Sequence, residues 1–475
     1  MLKSIYNSYD IRGIYGLNLT KEIAFKIGRA FVDFLRKTQK CEHIAVGRDI
    51  REHSAPLFAA ITDGIRAQGA NVIDLGECST PMSYFGTGFT RADAGIMITA
   101  SHLPDENNGF KLSRANAVPV AGDTGIMEIK AIVESGNFAP AAATPGTISE
   151  CDISEDYARM IRKSADIPRP LKIVADMTFA MGIWEAKVFE GLPLAVTPLY
   201  GDLAQKDKVK IHGRDPLDHG NFAALSAAVQ AGKGKYAFGV MYDPDADRTG
   251  FTDENGRIIP MDIITALIAQ AVLQKHPGAA VGYDLRSSRV VDETIRAAGG
   301  KPFRTRVGHS KIKTTMRKMK AQFSGELSGH FYYRHEPRKG AFVYGESSAL
   351  TTILIANILG KTKKPLSELV KPIQRYFTSG EINTVFDSDK AAEDAFARVT
   401  ERFRDECWID TLDGVSVLYP DWWFNIRPSN TEPGKPKIRL NVESVASPKH
   451  LSEKLSEVKK LLGGEWQTKK KKAGH

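Results

Sequence analysis

The 475-residue chain has little cysteine and no long apolar run. Its four cysteines, Cys41, Cys78, Cys151 and Cys407, stand far apart and form no CxxC pair. That speaks against a zinc site and a disulfide framework, and fits a reducing cytoplasm. No stretch approaches the ~20 apolar residues needed to span a bilayer. Met1 to Tyr6 lacks the apolar core of a secretory signal. Neither a GxxxxGK[ST] loop nor a strand-linked GxGxxG is present, so bound ATP is not the expected source of phosphate. There is also no GxSxG elbow around Ser101, the serine singled out below, which makes a serine hydrolase a poor reading.

Apolar residues make up 42% of the chain and charged residues 25%, so it reads as globular rather than disordered. Its length predicts three or four domains. The formal charge is +9, and Lys469 to Lys472 account for four of those charges at the very end. That end reads as a solvated, disordered tail. The remaining excess fits the steering of a small phosphorylated metabolite toward a cleft better than a nucleic-acid surface. The expected partners are therefore small anionic molecules, with no nucleic acid and no membrane.

Short apolar runs alternate with helical stretches, the pattern of a mostly parallel sheet covered by helices. Strands are expected at 44–47, 71–75 and 95–100, with a helix capped by Ser54 running to Gln68 and stopped at Gly69. The pattern restarts with strands at 171–175, 194–197 and 236–242. It restarts again with a helix over 261–275, a strand over 279–283, a helix over 289–298 and a strand near 321–324. From about 371 the pattern changes to strands near 381–385, 413–417 and 438–443 with helices near 389–404 and 448–462, which predicts a smaller α+β unit. Linkers are expected at 139–147 and 359–366. Each α/β round ends in a strand followed by a polar motif, at the sheet edge where ligands bind.

Four such motifs carry chemistry. In Asp243 to Arg248 (DPDADR), three alternate carboxylates, Asp243, Asp245 and Asp247, suit one hard cation. A solvated acidic turn or a calcium loop is the competing reading, but Arg248 beside them favours a phosphate. In Thr99 to Lys111 (TASHLPDENNGFK), Ser101 is placed to carry a phosphoryl group and His102 to orient it. A turn at Asn107 to Gly109 would fold Lys111 back toward Ser101, where neighbouring cations would lower its pKa for proton transfer. Read alone, Ser101-His102 is as readily an ordinary loop. In Gly325 to His330 (GELSGH), Glu326 and Ser328 can grip adjacent hydroxyls, and a plain tight turn is an equal alternative. In Arg427 to Pro433 (RPSNTEP), one guanidinium, two hydroxyls and an amide make a phosphate cradle, with Arg439 nearby.

With these four motifs in this order, the chain resembles the α-D-phosphohexomutases, the phosphomannomutase/phosphoglucomutase group, from Tyr9-to-Gly13 (YDIRG) through Arg439-to-Glu443 (RLNVE). The resemblance implies three similar mixed-sheet α/β domains (1–145, 146–255, 256–368) and a C-terminal α+β domain (369–465) around a central cleft, ahead of the tail at 466–475. It implies that Ser101 is the phosphoserine and that Asp243, Asp245 and Asp247 hold one Mg²⁺, with Ser101 completing the shell. Arg12, His102 and Arg248 would lie beside the phosphoserine, and Lys111 and His309 would transfer protons. Glu326, Ser328 and His330 would meet the sugar, with Arg286 facing the ligand. Arg427, Ser429, Asn430 and Thr431 would hold the distal phosphate.

The implied reaction interconverts hexose 1-phosphate and hexose 6-phosphate through a hexose 1,6-bisphosphate, with mannose first and glucose second, in a monomer or homodimer. Departures from the family pattern are Leu103 (usually Asn), Pro244 (usually Gly), a missing aspartate in 331–346 and extra residues at 434–437. The alternatives are a Mg²⁺-dependent sugar phosphatase with Asp243 as nucleophile, and a phosphoglucosamine mutase, which more often has Gln where Leu327 stands.

Overall fold

The computed structural model describes residues 4–208, 212–405, 408–428 and 435–467. The chain folds into three mixed α/β sheets and a C-terminal antiparallel sheet, the architecture expected above.

The three α/β sheets repeat one strand order. In the first, His43–Arg48 is flanked in parallel by Asn71–Glu77 and Ala94–Ile98, and Asn107–Arg114 returns antiparallel beside Ala94–Ile98. In the second, Leu171–Asp176 takes the central place between Leu194–Leu199 and Phe238–Tyr242, and Thr249–Thr252 returns. In the third, Ala280–Asp284 lies between Lys301–Thr305 and Phe323–Gly325, and Phe331–Arg338 returns. Each polar motif is therefore the loop of an antiparallel pair hung on a parallel sheet. Tyr242 pairs with Thr249 around the aspartates, and Gly325 pairs with Phe331 around Glu326. The C-terminal sheet repeats the device, for Trp422–Pro428 pairs with Lys437–Ser444 and Pro428 faces Ile438.

Two local expectations are corrected. Asn107 to Gly109 is not a turn: these residues are strand, paired with Ile11–Ile14, and the reversal occurs earlier, over 99–106. Lys111 therefore reaches the site from a strand, opposite Met97. Ser54 does not cap its helix either. It is the first residue of Ser54–Ala67, and its hydroxyl donates to Asp49 instead.

The first sheet also takes in Ile148–Glu150, parallel to Asn71–Glu77. The second and third sheets share one continuous core, joined by Met261–Lys275 and Ser348–Gly360, helices buried on nearly every side. A shared core disfavours independent motion of these two units, because separating them would expose apolar surface. The C-terminal sheet has its own core, in which Phe403, the last residue of the helix Asp389–Phe403, meets Trp422 and Phe424 edge-on, with the helix Pro448–Leu462 packed on the same core. No helix among the described residues is long and apolar enough to cross a membrane.

Candidate active site

Ser101 is buried and adopts the left-handed conformation, with φ of 52°. A serine is seldom found there, and the backbone must be held from outside. Thr99 Oγ1 accepts the Ser101 N–H at 2.9 Å. Arg51 does more. One guanidinium donates to the carbonyls of Ser101 (2.5 Å), Leu103 (2.7 Å), Pro104 (2.9 Å) and Asn107 (3.1 Å), and so ties both ends of the loop together. Asp49, buried beside it, lies 3.3 Å from Arg51 Nε. Neither residue was singled out from the sequence, although Gly47 to Arg51 (GRDIR) was there to be read at the end of a strand.

The Ser101 hydroxyl donates to Asp243 Oδ2 at 2.9 Å and lies 3.2 Å from His102 Nδ1. Asp243, Asp245 and Asp247 are all buried, and each offers a carboxylate oxygen within 4.8 Å of the others. The loop is anchored from three sides: Met181 N–H donates to Pro244 O, Thr80 Oγ1 to Asp245 Oδ2 at 2.7 Å, and Ser348 Oγ to Ala246 O at 2.7 Å. Pro244 thus costs the loop no donor that it uses. Asp245 Oδ1 is buried with no hydrogen-bond partner among the described residues. An orphaned, buried carboxylate oxygen in a set of three hard donors fits a divalent cation such as Mg²⁺.

Lys111 Nζ donates to Asp245 Oδ2 at 2.9 Å and also to Asp247 Oδ2. Burial pulls its pKa down, but the two carboxylates outweigh burial and hold it well above the usual lysine value. The expected lowering by neighbouring cations is therefore reversed. The same charges act on the aspartates. Burial, then Asp245 and Asp247, push Asp243 well up. Burial also acts to raise Asp247, but Lys111 and His330 bring it well below the ordinary carboxylate range.

Arg12 reaches the residue before Ser101, and Arg248 the carboxylate that Ser101 meets. Arg12 is held by Asp10 at 2.7 Å and reaches Ala100 O at 3.4 Å. Arg248 lies 4.0 Å from Asp243, 3.4 Å from Asp215 and 3.3 Å from His330 Nε2. Burial, Arg248 and Arg12 keep His102 well below the usual imidazole pKa, so it is neutral.

From the aspartates a chain of charged side chains runs to the C-terminal domain. His330 lies 3.3 Å from Asp247 and 3.1 Å from Glu326. Burial would lower its pKa, but Asp247 and Glu326 raise it to about 9. Its Nδ1 also lies 2.7 Å from Ser328 Oγ. Gly329 turns this loop at φ of 90°, a conformation that a side chain would strain. Glu326 accepts from Tyr332 at 2.8 Å and from Arg286 at 3.2 Å. Arg286 also donates to Asp284 at 2.6 Å and lies 3.6 Å from Glu381. Glu381 in turn accepts from Arg427 at 2.7 Å and Arg439 at 2.6 Å. Burial raises the Glu381 pKa, and Arg286, Arg427 and Arg439 overcome it, leaving the carboxyl at about 2.

His309 opens the helix His309–Met319 beside Tyr9, with ring centroids 6.2 Å apart. Gly308 before it has φ of 110°, and a Cβ there would meet the Tyr9 ring at 2.7 Å. Both His309 ring nitrogens are shielded from water and lack a partner among the described residues. Burial, then Lys313 and Lys111, hold its pKa well below the usual value.

The site residues named from the sequence thus converge on one interdomain cleft, except Ser429, Asn430 and Thr431, which lie outside the described residues, as do residues 468–475 of the expected tail; its start at 466 is corrected, for Trp466 is strand, paired with Thr384. Arg51, Thr80, Asp215 and Glu381 were missed. Thr80, Asp215 and Glu381 sit in segments without a motif and join the site only through tertiary contact, whereas Arg51 closes the legible GRDIR stretch.

Family models for phosphoglucomutase/phosphomannomutase α/β/α domain I and domain III match residues 3–140 and 260–376. A phosphomannomutase of Escherichia coli is 34% identical over 472 residues, covering 96% of this chain and 98% of that protein. The chain belongs to the phosphoglucomutase/phosphomannomutase family of α-D-phosphohexomutases. The crystal structure of a phosphoglucomutase/phosphomannomutase family protein from Burkholderia thailandensis superposes with a TM-score of 0.87 at 27% identity, over 98% of this chain and all of that one. An N-acetylphosphoglucosamine mutase of Aspergillus fumigatus, solved with GlcNAc-6P and magnesium, shares the fold at 13% identity and a TM-score of 0.56, over 90% of this chain and 83% of that one. Within this phosphohexomutase, the motif loops of all three α/β domains face one another across the cleft.

Proposed function

We propose that the protein interconverts hexose 1-phosphate and hexose 6-phosphate, with mannose phosphates as first substrates and glucose phosphates as second, through phosphorylated Ser101 and a hexose 1,6-bisphosphate. The observation that carries this reading is the Ser101 hydroxyl, buried at 2.9 Å from Asp243 among three carboxylates, with Arg12 3.4 Å from the Ala100 carbonyl and Arg248 4.0 Å from Asp243. The name of the Escherichia coli relative favours mannose.

In the forward half-reaction, the P–O bond to Ser101 breaks as a P–O bond to a sugar hydroxyl forms. The hydroxyl proton leaves to a base in the cleft, and the serine oxygen takes up a proton as it departs; in the second half-reaction the Ser101 hydroxyl loses its proton as it attacks the other phosphate, and the sugar oxygen that is freed gains one. Of the two proton-transfer candidates, neutral His309, with two unpartnered nitrogens, suits the base better than Lys111, whose charge Asp245 and Asp247 hold. A Mg²⁺ ion held by Asp243, Asp245 and Asp247 would supply positive charge against the phosphoryl oxygens. Arg12 and Arg248 orient and neutralise the phosphoryl group, Glu326 and Ser328 take the sugar hydroxyls, and Arg427 takes the distal phosphate.

The test is a coupled assay with mannose 1-phosphate and glucose 1-phosphate, primed with a 1,6-bisphosphate, together with peptide mapping of the enzyme. Turnover with alkali-stable phosphate on the Ser101 peptide is the expected result. Release of inorganic phosphate with an acyl phosphate on Asp243 would identify a phosphatase instead.

A further inference from the structure

We propose that Arg214 and Asp215, neighbours in one loop of the second domain, are positioning residues: Arg214 holds the serine loop from outside, Asp215 holds Arg248 inside, and phosphoryl transfer reaches its full rate only with both contacts made. The inference rests on the reading of Ser101 as the phosphoryl carrier.

The loop has a fixed footing in its own domain. His212 Nε2 lies 2.7 Å from Asp176 Oδ2, and Asp176 is fully buried at the end of the central strand Leu171–Asp176. Asn221, also buried, donates through Nδ2 to the Asp215 carbonyl at 2.9 Å, and a Cβ on Gly213 would meet Asn221 Oδ1 at 2.7 Å. The Leu217 N–H donates to Asp215 Oδ1 at 3.0 Å, which fixes the carboxylate against its own backbone.

From that footing the two side chains take different targets. Arg214 crosses to the first domain and donates to both oxygens of Asp105, at 2.5 and 3.4 Å, in the loop that carries Ser101. Two-point pairing of a guanidinium with a carboxylate fixes orientation as well as distance. Asp215 faces the reaction centre. Its Oδ1 accepts from Arg248 Nη1 at 3.4 Å, and its Oδ2 lies 3.9 Å from His102 Nε2. The second distance is longer than a hydrogen bond, so Asp215 acts on Arg248. Asp243, 4.0 Å from Arg248, already accepts from Ser101 and belongs to the set that suits a cation. Asp215 lies outside that set, so its hold on the guanidinium does not depend on what the aspartates carry. The phosphoryl group is covalently bound to Ser101 before transfer. Its alignment by Arg248 therefore enters kcat rather than sugar affinity.

The test is steady-state kinetics of the full-length enzyme on mannose 1-phosphate and glucose 1-phosphate, primed with a 1,6-bisphosphate, with urea unfolding of each variant. Asp215→Ala is expected to lower kcat about 100-fold, the scale of a small misplacement of a reacting group, with KM changed by less than about threefold. Asp215→Asn keeps the acceptor for the Leu217 N–H without the charge, and is expected to lower kcat about tenfold. Arg214→Asp is expected to lower kcat about fivefold, the scale of an exposed ion pair, and Asp105→Arg in the same chain to restore most of it. A wild-type kcat in Asp215→Ala or Asp215→Asn, or a loss that follows stability and falls on kcat and KM alike, would overturn the role of Asp215. Failure of Asp105→Arg to rescue Arg214→Asp would overturn the role of Arg214. The two readings fail differently: a wild type inert toward both sugar phosphates removes Ser101 as the carrier, whereas an active enzyme whose variants keep the wild-type kcat removes only this inference.

Discussion

Lys111 Nζ lies 2.9 Å from Asp245 Oδ2, so a strand of the first domain neutralises the metal-type loop of the second. The lysine and the carboxylates are buried together, and neither is tolerable there alone. This pair joins the two domains at the reaction centre and begins the chain of charges that ends at Arg427 and Arg439.

Removing that lysine takes the ion pair from buried Asp245 and leaves buried Asp247 with His330. Lys111→Met is expected to lower the metal-free stability by about 3–5 kcal/mol, the cost of breaking a buried pair from one side. Urea unfolding with a chelator present reads this. Adding Mg²⁺ should return part of the loss in Lys111→Met, because a cation would meet the same two carboxylates. A variant as stable as the wild type in chelator would show that the pair contributes nothing.

Asp245 offers a direct test of the cation. In the wild type, Mg²⁺ at about 100 times its dissociation constant should raise stability by about 2.7 kcal/mol. Asp245→Asn should lose most of that gain, and chelation should abolish wild-type turnover. Thermal melting across a Mg²⁺ titration is the measurement, and an unchanged Mg²⁺ response in Asp245→Asn would place the ion elsewhere.

Arg51 touches no reacting atom, yet it holds four carbonyls of the serine loop. It is a positioning residue. Arg51→Ala should lower kcat about 100-fold, the scale of a small misplacement of reacting groups, with KM changed far less. Free guanidinium should restore part of kcat. A fall in stability with no rescue and equal loss in kcat and KM would mean a purely structural role.

Glu185 supplies a pH test away from the reaction centre. It is fully buried where three domains meet, accepting from Ser79 Oγ, the Tyr157 hydroxyl and the Ala349 N–H. Burial raises its carboxyl to about 7, against which those hydrogen bonds act only in part. A raised folded pKa means the folded chain binds the proton more tightly. Its contribution to stability is therefore full below the unfolded value near 4.5 and is lost as pH rises through about 7. The span is worth up to about 3 kcal/mol. Glu185→Gln should flatten the stability profile between about pH 5 and 7.5, measured by urea midpoints at each pH. An identical slope in wild type and Glu185→Gln would show that Glu185 does not titrate there.

Much of the fold is written in local pattern. The apolar runs at 44–47, 171–175 and 236–242 became strands, the last from Phe238, because β-branched and apolar side chains were bounded by turn residues. Met261–Lys275 emerged as a helix with the bounds its composition implied. Local pattern failed at Asn107-Asn108-Gly109, where turn-forming residues lie in a strand. Pairing with Ile11–Ile14 overrides their propensity. It also failed at 331–346, whose two paired strands have no clean alternation because the pair is buried against the helix Thr80–Phe89.

By itself the sequence determined which residue types stand at each strand end: a serine, three alternate aspartates, a glutamate with a serine, and an arginine. These are local facts, set by spacing within a few residues. Only the tertiary structure decided what they neutralise. Charge reaches across domains at distances of 2.9 and 3.6 Å that no spacing in the chain encodes. That is why Lys111 is held charged rather than poised to release its proton, and why a glutamate from the edge of a fourth domain meets Arg286.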